Sequence, residues 1–266
     1  MAKGYTQIFG LEYGDTFSPV AKMASVRLFI LMAALQQCPL YQLDVKNAFL
    51  NEDLQKEIYM EQPPDFVAQR ESSGLVCRLR KSLYGLKQSP RAWFGKFSNV
   101  VQQFGMTRSE ADHSVFYRHS SVGCIYLVVY VDDIVLIGSG HHGISQVKQH
   151  LCQHFQTKDL GKLRYFLGIE VAQSSTGIVI SQRKYTLDIL EEIGLMNSKS
   201  VDTPMDPNVK LLPNQGEPLL DLEKYKRLVG KFNYLTVTHS NISFAVSVVS
   251  QFLNSPWKII GMHSFI

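Results

Sequence analysis

Apolar residues recur at helical spacing in five stretches and form short continuous or alternating runs in several others, and this contrast predicts most of the elements. A helix is expected over Ser25–Cys38, with Ser25 as its N-cap and Pro39 forcing a stop. Leu40–Val45 reads as a strand. Tyr41, Leu43 and Val45 share one face, which leaves Gln42 and Asp44 on the other. Ser89-Pro90 begins a second helix, whose stripe of Ala92, Trp93, Phe97, Val100, Val101 and Phe104 ends at Gly105. Ile125–Val131 and Ile134–Ile137 are apolar runs on either side of Asp132-Asp133, the pattern of a hairpin with the acidic pair at its turn. Ile144, Val147, Leu151 and Phe155 mark a third helix, and Leu187–Leu195 and Tyr225–Tyr234 two more. Tyr165–Val171 and Gly177–Ile180 suggest a second hairpin. Residues 61–75, with Pro63-Pro64 and Ser72-Ser73-Gly74, read as a loop; residues 197–222, with Pro204, Pro207, Pro213 and Pro218, read as a linker. Helices and hairpins mix without regular strand–helix alternation. The class expected is α+β, an antiparallel sheet with helices packed on one face.

Composition narrows this little. The chain of 266 residues is 45% hydrophobic and 19% charged, a globular balance sized for one large or two ordinary domains. A net charge of +4 fits a nucleic-acid partner without requiring one. The cations Arg78, Arg80, Lys81, Lys87, Arg91 and Lys96 fall in one stretch, which by itself also describes a solvated face. Cys38, Cys77, Cys124 and Cys152 are far apart and form no Cys-x-x-Cys pair, as expected of reduced thiols in a cytoplasmic or nuclear setting. No run approaches the roughly 18 apolar residues of a membrane span, and the start has no apolar signal core, so neither secretion nor a membrane is expected.

The chemistry centres on acids. Asp132-Asp133 follows seven apolar residues, and ionised carboxylates resist desolvation unless something compensates them. A surface turn would explain the pair alone. Asp44, however, is a further acid on an apolar strand. If the two strands are neighbours, three carboxylates converge and raise one another's pKa unless a cation intervenes. Mg²⁺ selects carboxylate oxygens, and two such ions about 4 Å apart serve phosphoryl transfer.

At these residues the chain resembles a known family. Tyr130-Val131-Asp132-Asp133 is similar to the signature turn of reverse transcriptases. Gln42-Leu43-Asp44-Val45-Lys46-Asn47-Ala48-Phe49-Leu50 resembles the first catalytic-aspartate motif of copia-type retrotransposon polymerases. Ser82-Leu83-Tyr84-Gly85-Leu86-Lys87-Gln88-Ser89-Pro90-Arg91-Ala92-Trp93 resembles their nucleotide- and template-handling motif. Thr16–Val20, Lys158–Gly161, Tyr165–Glu170 and Arg227–Lys231 follow in family order.

The resemblance implies a right-hand polymerase of fingers, palm and thumb, with an antiparallel palm sheet backed by helices. Fingers and palm would occupy residues 1–170, with a fingers insertion at about 52–88 and fingers incomplete at the N-terminus; a thumb-like region would follow at 171–256 and a divergent tail at 257–266. It implies that Asp44 and Asp132 ligate two Mg²⁺ (Mn²⁺ as substitute), helped by the Val45 carbonyl, with Asp133 as supporting carboxylate. Phe49 would lie under the incoming sugar and select deoxynucleotides. Tyr84, Gly85, Lys87 and Ser89 would line the nucleotide side. Arg91, Tyr130, Lys158, Phe166, Leu167, Gly168, Gly230 and Tyr234 would meet primer, template or duplex. The implied partners are an RNA template, a DNA primer, dNTPs, and integrase and ribonuclease H portions of a parent polyprotein, in the cytoplasmic virus-like particle or the nucleus.

Three rival readings stand beside it. The fingers residues expected upstream, the family's Thr-Arg-Pro-Asp-Ile in place of Thr238-His239-Ser240-Asn241-Ile242, and the end of the resemblance at Pro256 would fit a truncated, inactive relic that at most binds nucleic acid. Two metals would equally serve a nuclease. His141, His142, His150, Cys152 and His154 lie close in sequence, with His150 and His154 at the i, i+4 spacing that can clasp zinc, although both flank the apolar stripe.

Overall fold

The computed structural model describes every residue except Met1, 63–75, 122, 200–203, 206–207, 209–210, 213–216, 218, 220, 255 and 257–266. The expected loop at 63–75, most of the proline-rich linker and the tail therefore lie outside the described residues. The chain divides into two compact units, residues 1–163 with 174–178, and residues 164–173 with 179–266.

The first unit is organised by a six-stranded antiparallel sheet. Its strands, in chain order, are β1 (Leu40–Val45), β4 (Thr107–Arg108), β5 (Val115–Ser120), β6 (Gly123–Tyr130), β7 (Asp133–Gly138) and β8 (Thr157–Lys162), and its spatial order is β4-β5-β6-β7-β1-β8. A separate antiparallel pair joins β2 (Asp53–Glu61) to β3 (Val76–Lys81). The helices are α1 (Met23–Leu35), α2 (Ser89–Gln103) and α3 (His141–His154). The α+β class holds, but helices cover both faces of the sheet. Leu43, Val45, Leu127, Val129, Ile134 and Leu136 form one core with Trp93, Phe94 and Phe97 of α2 and Ile144, Val147 and Leu151 of α3. On the other face the Phe29 ring of α1 packs 5.3 Å from Tyr126. The reason is in the central strands: Val128, Val135 and Ile137, on that second face, are also buried, so the sheet is two-sided where it is apolar. Each such side chain contributes about 1.5–3 kcal/mol on burial.

The start of α1 differs from expectation. Its N-cap is Lys22, and Ser25 lies inside the first turn with its hydroxyl donating to Asp112 Oδ2 at 2.6 Å. Buried Asp112 also accepts from the backbone N–H of Lys22 (3.0 Å) and from both the N–H (3.1 Å) and hydroxyl (2.6 Å) of Ser114. A carboxylate remote in sequence thus does the work assigned to Ser25 and favours the helix N-terminus electrostatically.

The second unit holds β9 (Tyr165–Phe166), β10 (Ile169–Gln173) and β11 (Ile178–Ser181) in the order β11-β10-β9, with helices α4 (Arg183–Ile193), α5 (Leu222–Leu235) and α6 (Ser243–Ser250). The expected strand over 165–171 is itself a hairpin, because Leu167 and Gly168 take positive φ (50° and 78°) between β9 and β10. Gly194 ends α4 at φ 74°, as expected of a left-handed C-cap. Tyr225, Val229 and Val249 form the core of α5 and α6, and the Tyr225 hydroxyl donates to the Val249 carbonyl at 2.8 Å.

Candidate active site

The centre of the six-stranded sheet brings the acids together. Asp44 stands directly opposite Asp133 in the β1–β7 register, and opposite Lys158 on the β8 side. Residues paired across neighbouring strands project to one face. Asp44, Asp133 and Lys158 therefore share a face. Gln42, two residues back on the same face, donates from Nε2 to Asp133 Oδ1 at 3.0 Å. Period-two alternation had put Gln42 beside Asp44; its contact with Asp133 needed the register.

The β6–β7 turn is one residue earlier than the acidic pair suggests. Tyr130 pairs with Asp133, so Val131 and Asp132 make the turn and Asp133 begins β7. Val131 sits at φ 52°, an uncommon conformation for a β-branched residue that costs roughly 1–3 kcal/mol. Two bonds hold it there. The Trp93 indole Nε1 donates to the Val131 carbonyl at 3.0 Å, and the Val45 N–H donates to the Asp132 carbonyl at 2.8 Å. The second bond fastens the turn to β1 beside Asp44. Trp93→Phe, which removes the donor from a part-buried carbonyl, is expected to cost about 1–2 kcal/mol in denaturant melts. An unchanged stability would remove the indole from its role as anchor.

Asp132 is oriented by Tyr84, whose hydroxyl donates to Asp132 Oδ2 at 3.1 Å. Its Oδ1 is buried with no hydrogen-bond partner. Burial pushes the Asp132 carboxyl above the usual range; the Tyr84 bond opposes this, and the charges of Asp44 and Asp133 add to it. Burial likewise raises Asp133, against the Gln42 bond and with the charge of Asp44. The Tyr84 phenol is pushed up to about 12, chiefly by burial and then by Asp132. It is thus a donor at neutral pH and not a base. An unsatisfied buried carboxylate oxygen within a group of mutually repelling acids suits a hard cation. Among the described residues, no three His, Cys, Asp or Glu side chains are arranged to hold a metal by themselves. A divalent cation held here would need oxygen ligands beyond these carboxylates.

The other residues expected at the site fall into groups. Phe49, in the short 3₁₀ helix Ala48–Asn51, is 9% exposed, with its ring centroid 4.5 Å from that of Tyr84. Gly85 is exposed at φ 97°. Ser89 is fully buried; its hydroxyl donates to the Leu83 carbonyl (2.7 Å) and receives the Ser82 hydroxyl (2.5 Å), so it shapes the loop and has no surface to offer a ligand. Lys87 Nζ bonds the Tyr13 hydroxyl at 2.9 Å, and Arg91 pairs with Asp15 at 3.1 Å. In the second unit, Phe166 is buried beside the Leu167-Gly168 turn, and the Tyr234 hydroxyl donates to the Leu167 carbonyl. Gly230 lies on the exposed side of α5, where an added Cβ would meet open space.

The histidine group does not form a zinc clasp. His150 Nε2 contacts the Val100 carbonyl at 2.9 Å, and His154 Nδ1 contacts the His150 carbonyl at 2.9 Å. His142 contacts Gln146, and Cys152 contacts Thr157. None of the four cysteines forms a disulfide. No helix among the described residues is long and apolar enough to cross a membrane.

Comparison with known proteins identifies the class. Residues 1–207 match the family model described as reverse transcriptase (RNA-dependent DNA polymerase), and the chain belongs to that family. It is 42% identical over 96% of its length to the retrovirus-related Pol polyprotein from transposon RE1 of Arabidopsis thaliana, of which it covers 17%. It is 38% identical over 97% of its length to that from transposon TNT 1-94 of Nicotiana tabacum, of which it covers 20%. It is also 35% identical over 82% of its length to a putative transposon Ty5-1 protein of Saccharomyces cerevisiae, covering 71% of that protein. The chain thus spans about a fifth or less of these Pol polyproteins. By family it is an RNA-directed DNA polymerase domain of copia type.

Proposed function

We propose that this chain extends a DNA primer on an RNA template, with Asp44, Asp132 and Asp133 as its catalytic carboxylates. The observation that carries the proposal is the Asp44–Asp133 register beside a Tyr84-bound Asp132 with a buried, unpartnered oxygen. Asp44 and Asp132, with the Val45 carbonyl, would hold two Mg²⁺, and Asp133, tied to Gln42, would support them. When bound, such ions activate an attacking hydroxyl and neutralise charge on the transferring phosphate.

The chain's own groups prepare the site for this. Tyr84 holds Asp132 in one orientation, and Trp93 and Val45 hold the turn that carries it. Lys158, facing Asp44 across the strands, offers a positive charge to a leaving pyrophosphate. The buried Phe49 ring, braced by Tyr84, would exclude a 2′-hydroxyl from beneath the incoming sugar. Gly85 and Lys87 would line the nucleotide side, and Arg91 and Tyr130 would face the template. In this reading residues up to about 170 are fingers and palm and those to 256 are thumb. The Phe166-Leu167-Gly168 turn would grip the primer, and Gly230 and Tyr234 would follow the duplex through shape and backbone contacts, as a sequence-indifferent enzyme requires. Integrase and ribonuclease H portions of a longer polyprotein would be its companions.

Primer extension on an RNA template with Mg²⁺ tests the reaction. A nuclease using the same metals would instead cleave an RNA–DNA hybrid without nucleotides, and this chain is expected to leave it intact. Tyr84→Phe gives a finer test. The Tyr84 bond lowers the Asp132 pKa, so its loss is expected to move the acidic limb of the pH–rate profile to higher pH. An unmoved limb would separate Tyr84 from the function of Asp132.

A further inference from the structure

Aromatic rings recur at every fourth position near the start of the chain: Tyr5, Phe9, Tyr13 and Phe17. Three of them are left largely in solvent, Tyr5 at 76%, Phe9 at 73% and Phe17 at 76% exposed, and Ile8 and Leu11 are exposed beside them. Rings are among the most favourable side chains to bury, and a cluster of them facing water marks a surface that meets a ligand or partner.

The segment that carries them follows residues 84–91 step by step. The Ala2 N–H donates to the Tyr84 carbonyl at 2.9 Å. Gly4 lies so close to Gly85 that a Cβ on it would sit 1.9 Å from the Gly85 carbonyl oxygen, so only glycine fits. The Lys87 N–H donates to Gln7 Oε1 at 2.9 Å, and Gln7 Nε2 donates to Gln88 Oε1 at 3.2 Å. The Lys87 ammonium sits 4.5 Å from the Tyr13 ring centre. The Ser18 hydroxyl donates to the Pro90 carbonyl at 3.1 Å, and Asp15 pairs with Arg91. From the other side Lys56 reaches the carbonyls of Gly10 and Leu11 at 3.1 and 3.2 Å. The track begins at the tyrosine that bonds Asp132 and leads away from it to Arg91.

Rings alternating with cations are the means by which proteins hold unpaired nucleic acid, because bases stack on the rings and phosphates meet the cations. A duplex hides its base faces and cannot use such rings. A protein-docking patch would need neither the interleaved Lys56, Lys87 and Arg91 nor an origin at the catalytic tyrosine. The Asp15–Arg91 pair is half exposed or more on both sides, so it is weakly held and exchangeable for a phosphate. We propose that Tyr5–Phe17 is a stacking track for the unpaired template strand, with Phe9 and Phe17 as its principal rings and Lys56, Lys87 and Arg91 as its phosphate contacts. The inference rests on the polymerase reading above.

The test is fluorescence anisotropy of the full chain with two labelled primer–templates, one blunt and one with a 5′ template overhang of about eight nucleotides. The parent is expected to bind the overhang form about tenfold or more tighter. Phe9→Ala with Phe17→Ala is expected to abolish that preference and leave blunt-end affinity unchanged. Both rings are exposed, so an unaltered melt accompanies the result. Equal binding of the two forms by the parent, or a preference that survives in the double variant, overturns the track; the second result would assign the rings to a protein partner. Absence of binding to either form overturns the polymerase reading together with the track.

Discussion

Asp132→Asn is expected to lose primer extension by about 10³-fold or more, since on the proposed role its carboxylate would contribute several kcal/mol of charge stabilisation through the metals it would hold. The same substitution is expected to raise the melting temperature of the metal-free protein. The sign follows from the raised carboxyl pKa of Asp132, caused first by burial and then by Asp44 and Asp133 against the Tyr84 bond. A carboxyl raised in the folded state imposes a penalty that is absent below the ordinary carboxylate range and sets in as pH rises through the raised value. At neutral pH the neutral amide escapes that penalty and can still accept from Tyr84. The difference is expected to shrink when Mg²⁺ is added, because the cation relieves the parent and not the variant. A variant that melts lower than the parent at neutral pH without metal would contradict the electrostatic picture, whatever its activity.

The largest stability effect is expected at Asp112. Asp112→Ala would strand four donors, two hydroxyls and two backbone N–H groups, at the entrance to α1. A loss of about 3 kcal/mol follows, using 1–3 kcal/mol for each buried group left without a partner and allowing the hydroxyls to turn elsewhere. In thermal melts that is roughly 6–12 °C for a chain of this size. Burial alone would raise the Asp112 carboxyl. The bonds from Ser114 and Ser25 and from the backbone of Lys22 and Ser114 outweigh it and hold the group below its usual value. Its contribution is therefore complete above the ordinary carboxylate range and is lost as pH falls through the lowered value. Asp112→Ala should flatten the acid limb of the stability profile. A loss below about 1 kcal/mol would show that the helix start is held some other way.

How far the sequence carried the fold differs from element to element. Leu40–Val45 was legible to the residue, because Pro39 stops what precedes it and alternation marks its faces. The helices α2, α3, α4 and α5 announced themselves by their apolar stripes. Their ends shifted by a few residues, as caps and last turns usually do. β8 escaped notice because Thr157–Lys162 is almost wholly polar; it is a strand because β1 needs a partner on its free edge, a long-range demand. The short β4 and the adjoining β5 gave no clear period. The hairpin turn was misplaced by one residue because Asp-Asp looks like turn chemistry and valine does not; Trp93 and Val45 hold Val131 where its own preference would not place it. The cap of α1 was misread because its acceptor, Asp112, is remote in sequence.

The candidate site divides in the same way. Asp44, Asp132 and Asp133 could be named from their motifs, and Tyr84 from the resemblance. The contacts that orient them, Gln42 to Asp133 and Trp93 to Val131, depend on register and packing. Ser89, named as a nucleotide-side residue, is a buried loop hydroxyl, and a motif alone does not separate a residue that shapes a loop from one that meets the ligand.

On the proposed reading, these carboxylates perform templated nucleotidyl transfer. The most direct measurement is single-nucleotide incorporation by the full chain on a DNA primer annealed to an RNA template, with one complementary labelled dNTP and Mg²⁺. A primer longer by one nucleotide is expected, with no product in the presence of a chelator and none with Asp44→Asn or Asp132→Asn. A folded parent that binds the primer–template with Mg²⁺ and leaves the primer unextended, or a variant that extends it as well as the parent, would contradict that role.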